Sequence, residues 1–400
     1  MAYELAPADV QAVIADMAGS VLDLQPAQVT AINAATRFDA KGLAVDSLAL
    51  LDLAASVSTF FRLHESELED DLLRRRTVGD WTTTVMRGWV HGSRSITFAT
   101  SGSTGVPVLC THPWADIAQE MDAQARLFAG RKRVLGLVGS RHIYGFLFCA
   151  LLPRWLGVPF IDIRASATTG LASIAGSGDL VVGFPMRWDL AAHSGKWASD
   201  VMGATSTGPI KPATVFALRE QGLACMVEIY GSSETGGIAW RDGPADVLHP
   251  FAHWSLRSDG QLERTDPNNS GKTRVIVPPD ILAARQTGFD VIGRRDGMVQ
   301  VAGTNVSCAH VAAVVAEHPD VEACAVRLMR AYEGTRLKAF VVLAESAFED
   351  TARTSLRTWL RSRLSAAETP ADIVFGAALP RDAHGKLADW PARGYHRDLV

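Results

Sequence analysis

The stretch Thr100-Ser101-Gly102-Ser103-Thr104-Gly105-Val106-Pro107 places four hydroxyl side chains and two glycines within six residues. Glycines let a backbone turn tightly enough for consecutive amides to converge on an anion, and the hydroxyls add neutral donors. That is the composition of a loop that wraps triphosphate oxygens; the alternative is an ordinary turn between a strand and a helix. The run before it, Ser95-Ile96-Thr97-Phe98-Ala99, alternates and predicts a strand. A second small-residue loop, Tyr230-Gly231-Ser232-Ser233-Glu234-Thr235-Gly236-Gly237, follows another apolar run. A third, Pro380-Arg381-Asp382-Ala383-His384-Gly385-Lys386-Leu387, lies near the end of the chain.

Positioning such loops requires a rigid frame. Between Ser95 and Tyr230, short β-like runs at 134–138, 159–163, 180–183, 201–205 and 225–229 alternate with helical stretches. This is the pattern of a parallel sheet covered by helices. In such sheets ligands bind beyond the carboxyl ends of the strands, where the loops at 100–107 and 230–237 are expected to lie. From about residue 238 to 295 shorter extended runs follow, among them Arg274-Val275-Ile276-Val277-Pro278-Pro279-Asp280. Gly293-Arg294-Arg295-Asp296-Gly297 reads as a charged boundary. Beyond it, strands at 298–301, 324–328 and 338–342 and a helix at 351–364 predict a small α+β domain.

Residues 1–90 read as a separate helical domain, with 91–295 and 296–400 as the other two. Val10, Val13, Ile14, Met17 and Val21 recur at helical spacing. Further on, Asp46 and Ser47 can cap an apolar helix beginning Leu48-Ala49-Leu50-Leu51. The Asp46-Ser47-Leu48 run and the later Thr77-Val78-Gly79-Asp80-Trp81 resemble acyl carrier protein domains. That resemblance implies a carrier-like fold and a phosphopantetheine arm on Ser47; a capped, unmodified helix is the competing reading.

Composition bounds the class. The 400 residues suit two or three domains, with 48% hydrophobic and 20% charged residues in a soluble globular balance. A net charge of −4 provides no basic field for nucleic acid. The most apolar region, 144–163, is interrupted by Pro153, Arg154 and Pro159, so a membrane span is not expected. Five scattered cysteines without metal-site spacing read as reduced thiols of a cytoplasmic protein.

Taken in order, these segments resemble the AMP-forming acyl- and aryl-CoA synthetases, the superfamily that includes peptide-synthetase adenylation domains and luciferases. The resemblance implies the α/β adenylate-forming fold, a large parallel-sheet domain with a small mobile α+β C-terminal domain. Thr100, Ser101, Gly102, Ser103, Thr104 and Gly105 then match the phosphate loop. Ser206-Thr207-Gly208-Pro209 matches the turn beside adenine, with Ser206 and Gly208 toward ATP. Tyr230, Gly231 and Ser233 match the adenine-stacking motif, and Glu234 supplies a hard oxygen for Mg²⁺. Asp280 matches the ribose-binding aspartate and Arg294 a planar fork for ribose or phosphate. Lys386 matches the catalytic lysine, suited to neutralising charge as pyrophosphate leaves. His142 and Tyr144, in Arg141-His142-Ile143-Tyr144-Gly145, resemble the motif near the acyl carboxylate. Asp296 corresponds to the hinge, and Gly303 lies on the face expected to admit CoA.

Three features depart from the family pattern. Val108 stands where a phosphate-loop lysine is usual, which weakens ATP binding or leaves the charge to Arg141. Pro278-Pro279 replaces the usual Thr-Gly before the ribose aspartate. The carrier-like segment stands where a large segment usually precedes the phosphate loop. The overall plan resembles the compact 4-coumarate–CoA ligases associated with photoactive yellow protein activation, and the related ligases of aryl-polyene pigment clusters. The implied reaction uses ATP, Mg²⁺ and CoA to activate an aryl acid. Transfer to a carrier protein, or to an arm on Ser47, is a second reading, and a non-catalytic nucleotide-binding interaction protein a third.

Overall fold

The computed structural model describes residues 4–100, 108–166, 170–295, 297–330, 332–381 and 387–390. Phosphate-loop residues Ser101 to Gly105, the hinge Asp296 and the lysine Lys386 therefore lie outside the described residues. The described chain divides into two units. One takes in residues 4–100, 108–278 and 282–291; the other comprises 279–281 and the described part of 292–390.

The first unit opens with helices. Pro7 starts α1 (Pro7–Val21), where Asp9 accepts from the Ala6 amide at 2.8 Å and Val10, Val13, Ile14 and Met17 are buried. A short α2 (Pro26–Thr30) precedes α3 (Ser47–Phe61), whose cap Asp46 accepts from Ala49 N at 2.8 Å. α4 (Glu69–Arg74) and α5 (Val78–His91) follow, the latter capped by Thr77. This segment is not a body of its own, contrary to the boundary expected near residue 90. Its apolar stripes belong to one core that runs from Val10, Val57 and Trp81 through Phe98 and Phe146 to Val182 and Ile229. Phe60 of α3 packs edge-on against Phe98 and Phe146, with ring centroids 5.2 and 5.5 Å away. The helices pack on one another, α1 against α3 and α5, and the core they form continues without a break into the strands that follow.

Next come β1 (Ser95–Thr100) and β2 (Val108–Pro113), paired antiparallel from Ser95↔Pro113 to Thr100↔Val108. The predicted strand is there, but it does not enter the parallel sheet. β1 and β2 form an antiparallel hairpin, so the predicted strand is followed by a second strand rather than by a helix. Val108 is exposed at the mouth of that hairpin.

α6 (Trp114–Leu127) leads into the main sheet. Its parallel part is β3 (Arg133–Gly136), β4 (Phe160–Asp162), β5 (Asp179–Gly183), β6 (Met202–Thr205) and β7 (Cys225–Ser232). All five runs expected from sequence are strands. Between β3 and β4 the chain forms α7 (Ile143–Gly145), a π turn (Phe146–Leu151) and α8 (Leu152–Leu156). The other connections carry α9 (Leu171–Ile174), α10 (Pro185–Ala191) and α11 (Pro212–Glu220). β8 (Gly236–Asp242) and β9 (His249–Pro250) add antiparallel, giving the order β4-β3-β5-β6-β7-β8-β9. Alternate residues serve opposite cores: Val134, Leu180 and Val182 on one face, Leu135 and Val181 on the other. An antiparallel three-stranded sheet follows, β10 (Trp254–Leu256), β11 (Leu262–Asp266) and β12 (Asn269–Ile276). The hairpin of β13 (Asp280–Ala284) and β14 (Phe289–Arg294) comes after it.

The second unit has a hairpin, β15 (Met298–Val301) and β16 (Thr304–Ser307). Its two-residue turn uses Ala302 and Gly303 at φ +51° and +83°. α12 (Cys308–Ala316) and α13 (Glu349–Arg361) cover a sheet of β17 (Val321–Leu328), β18 (Leu337–Leu343) and β19 (Asp372–Phe375) in that order. Within this unit Lys338 is fully buried, and its Nζ donates to Glu333 Oε1 and to the Trp390 carbonyl. Arg327 pairs with Glu333 at 3.0 Å, and Arg330 with Asp389 at 2.8 Å. No helix among the described residues is long and apolar enough to cross a membrane.

Candidate active site

Strand register sets the site in the first unit. Gly183 of β5 is level with Thr205 of β6, which is level with Glu228 of β7, so the turns that follow share one carboxyl edge. Ser206 leaves β6 there, and its hydroxyl donates to Ile229 O at 2.9 Å, the residue before Tyr230. Thr207 holds φ +74°, a left-handed conformation that a β-branched residue rarely adopts. Such strain collects where a backbone must present itself in one way. Thr207→Gly is expected to raise stability by roughly 0.5–1 kcal/mol, read from the urea midpoint, because glycine adopts this φ without a Cβ penalty.

Tyr230 is half-buried on β7, its ring 5.7 Å from that of Phe289. Gly231 bears on the facing strand, where a Cβ would come within 2.1 Å of Gly236 O. Ser233 and Glu234 then form the turn into β8. Glu234 is exposed and makes no ion pair among the described residues. A single hard carboxylate open to solvent fits Mg²⁺, which keeps waters and takes its other oxygens from phosphates. No group of three His, Cys, Asp or Glu among the described residues could hold a metal ion without such help.

His142 caps the turn of α7 and is solvent-accessible. The protein around it, and next the Arg141 charge, nevertheless lower its pKa by disfavouring the imidazolium. Tyr144 is a core ring, 6% exposed, and its hydroxyl donates to Gly183 O at 3.0 Å. That bond ties the His142 turn to the end of β5. Gly145 is obligatory here, since a Cβ would fall 1.8 Å from Gly139 O.

Sequence reasoning missed the side chains that hold these turns. Asp16 of α1 reaches residues 139–141 and Arg164: it accepts from Arg141 N at 3.1 Å and pairs with the Arg164 guanidinium. Ser140 donates to Ala12 O at 3.0 Å, and Arg141 hydrogen-bonds Ser20. α1 therefore buttresses the His142 loop, and Arg141, which could replace the missing phosphate-loop cation, is engaged with α1. Asp16→Ala leaves that amide without its acceptor and Arg164 with Asp162 alone. The expected loss is about 2–3 kcal/mol of stability. With it comes a KM for the acid raised more than the KM for ATP, read from unfolding curves and initial rates.

Beneath the Ser233–Gly237 turn lies a second set. His112 Nε2 meets Ser233 O at 2.7 Å, and Trp254 Nε1 donates to Gly237 O at 3.0 Å. Glu120 accepts from Gly237 N at 2.9 Å and from Gln124 Nε2 at 2.7 Å. Arg264 donates to Asp116 O at 2.7 Å and reaches Thr235 O at 3.4 Å. Burial pushes the Glu120 carboxyl up to about 7, against the opposing pull of the Arg264 charge and these hydrogen bonds. Desolvation drives His112 down, and His253 to about 3.

In the second unit Asp280 and Arg294 lie together, 3.5 Å apart across the hairpin. Gly303 sits at the β15–β16 turn. Ser47 is exposed at the start of α3, beside the exposed Leu48. All five cysteines are free thiols, and burial raises Cys110 to about 11 and Cys225 to about 12, so they are protonated at neutral pH.

This fold is that of the adenylate-forming enzymes. An amide bond synthetase from Marinactinospora thermotolerans matches with TM-score 0.58 at 21% identity, over 73% of this chain and 67% of that one. A malonyl-CoA ligase solved with methylmalonyl-CoA and AMP matches with TM-score 0.55 at 19% identity, over 71% of each. Residues 310–386 match the AMP-binding enzyme C-terminal domain. A 4-coumarate–CoA ligase of Halorhodospira halophila is 37% identical over 364 residues, 90% of this chain and 92% of that protein. Another, from Cereibacter sphaeroides, is 37% identical over 359 residues, 88% and 85% of the two chains. The chain belongs to the AMP-forming CoA ligases of the adenylate-forming superfamily.

Proposed function

We propose that the acid is planar and aromatic, 4-coumarate or a close hydroxycinnamate, and that the thiol is that of CoA. The observation that carries this reading is the identity of 35–37% to three 4-coumarate–CoA ligases over about nine-tenths of the chain. A carboxylate oxygen attacks the α-phosphorus of ATP, the bond to pyrophosphate breaks, and an acyl-adenylate forms. The CoA sulfur then attacks the acyl carbon, its proton passes to solvent, and AMP leaves.

The residues take these roles. Amides of Thr100 to Gly105 hold the β- and γ-phosphates. Tyr230 faces adenine, flanked by Ser206, Gly208, Gly231 and Ser233. Asp280 accepts from the ribose hydroxyls, and Arg294 clamps ribose or phosphate. His142, held largely neutral, stands by the reacting carboxylate and does not compete with the α-phosphorus as a cation. Glu234 would hold Mg²⁺, which supplies charge neutralisation at the phosphates. Lys386 stabilises the departing pyrophosphate, and rotation about Asp296 then brings the Gly303 turn to the CoA arm.

The test is pyrophosphate release with ATP, Mg²⁺ and a panel of aryl and fatty acids, with and without CoA. Release with 4-coumarate and conversion to its CoA thioester is the expected result. Preference for fatty acids overturns the substrate assignment, and adenylate without thioester overturns the acceptor.

A further inference from the structure

Three strands and a helix converge on the turn that carries Glu234, and each sends it a buried polar side chain. His112 of β2 holds Ser233 O, Arg264 of β11 reaches Thr235 O, and Glu120 of α6 takes Gly237 N. These side chains are 5%, 2% and 3% exposed. Trp254 of β10 holds the other side of Gly237. Glu120 also fits its carboxylate against the two glycines. A Cβ on Gly236 would meet Oε2 at 2.3 Å, and one on Gly237 would meet Oε1 at 2.6 Å. The glycines at 236 and 237 are thus matched to this carboxylate, which accepts from the Gly237 amide.

We propose that Glu120 is a positioning residue for the nucleotide turn, acting with His112 and Arg264 to fix where the Tyr230–Glu234 segment presents its groups. Glu120, His112 and Arg264 are buried and hydrogen-bonded to the turn, and so act through it. A buried polar side chain is costly to leave without its hydrogen-bond partner, so the turn has one stable placement rather than several. Arg264 is in turn held by Asp116 O and Gln119, and Asp116 by Arg274 at 2.6 Å, so the cradle is braced on three elements. The assignment rests on the adenylate-forming reading of the turn.

The experiment compares Glu120→Met and Glu120→Gln in the full chain by two readouts. The first is hydrogen exchange of peptides spanning 229–240; the second is MgATP affinity by calorimetry, without acid or CoA so that nothing turns over. Methionine keeps the length and removes the acceptor, whereas glutamine retains an oxygen for Gly237 N. In the methionine variant exchange is expected to speed up at 231–237 alone, and the MgATP Kd to rise about tenfold. The glutamine variant should stay within about threefold of wild type. His112→Phe removes the Ser233 bond from another strand and should give the same local signature if the methionine variant does not fold. Wild-type exchange and affinity in a folded methionine variant overturn the proposal, as does acceleration spread over the whole first unit. Wild-type protein that binds MgATP yet releases no pyrophosphate with any acid sinks the ligase reading, while the variants still decide the role of Glu120. No MgATP binding by wild type overturns both.

Discussion

Lys386→Ala is expected to slow acyl-adenylate formation by about 10²–10³-fold, the usual consequence of removing one preorganised charge from a developing negative centre. The reaction of a supplied coumaroyl-adenylate with CoA should proceed near its wild-type rate, because no pyrophosphate leaves in that step. The two half-reactions therefore separate a chemical role from a structural one. Rapid-quench measurement of adenylate, beside thioester formation from synthetic adenylate, reads both. Equal losses in the two steps would remove Lys386 from the chemistry and make it a folding determinant.

Lys338→Met is expected to destabilise the second unit by about 3–5 kcal/mol, since it leaves the Glu333 carboxylate buried and partly uncompensated. Glu333 is 8% exposed and keeps the Arg327 guanidinium at 3.0 Å and the Arg330 amide at 2.9 Å, while the Trp390 carbonyl loses one of its two donors. The sign is testable by rescue. Adding Glu333→Leu removes the stranded charge and should recover a good part of the loss, because apolar replacements of both partners are often neutral or better. A calorimetric scan of the three proteins reads the difference. If the double variant is less stable than the single, the pair is worth more than its desolvation.

The parallel sheet was legible because runs such as Leu180-Val181-Val182 are buried on both faces and bounded by glycine or charge. Motif order marked the carboxyl-edge turns in the same way. Two things were not legible. An amphipathic stripe such as Val10, Val13, Ile14 and Met17 looks the same whether the helices it packs on close a core of their own or share one with later strands, so the N-terminal segment reads as independent. The strand before the phosphate loop carried no sign of its antiparallel partner, because Val108 to Pro113 is short and half-exposed. The props Asp16 and Glu120 did leave a signal. Each is a carboxylate on the inward stripe of its helix, between Val13 and Met17 in one and beside Ile117, Met121 and Gln124 in the other. An ionisable group at such a position must find a partner, and the partner lies far away in sequence.

That distance bears on how the protein is made. Ala12 meets Ser140, Asp9 meets Arg154 and Asp16 meets Arg164 across separations of 128, 145 and 148 residues. As the chain leaves the ribosome, the first helices appear well before the strands that complete their core. Until then the two carboxylates of α1 await their arginines, although its apolar face already has α3 and α5 to meet. The segment synthesised first is thus completed only when residues 140–164 have followed it.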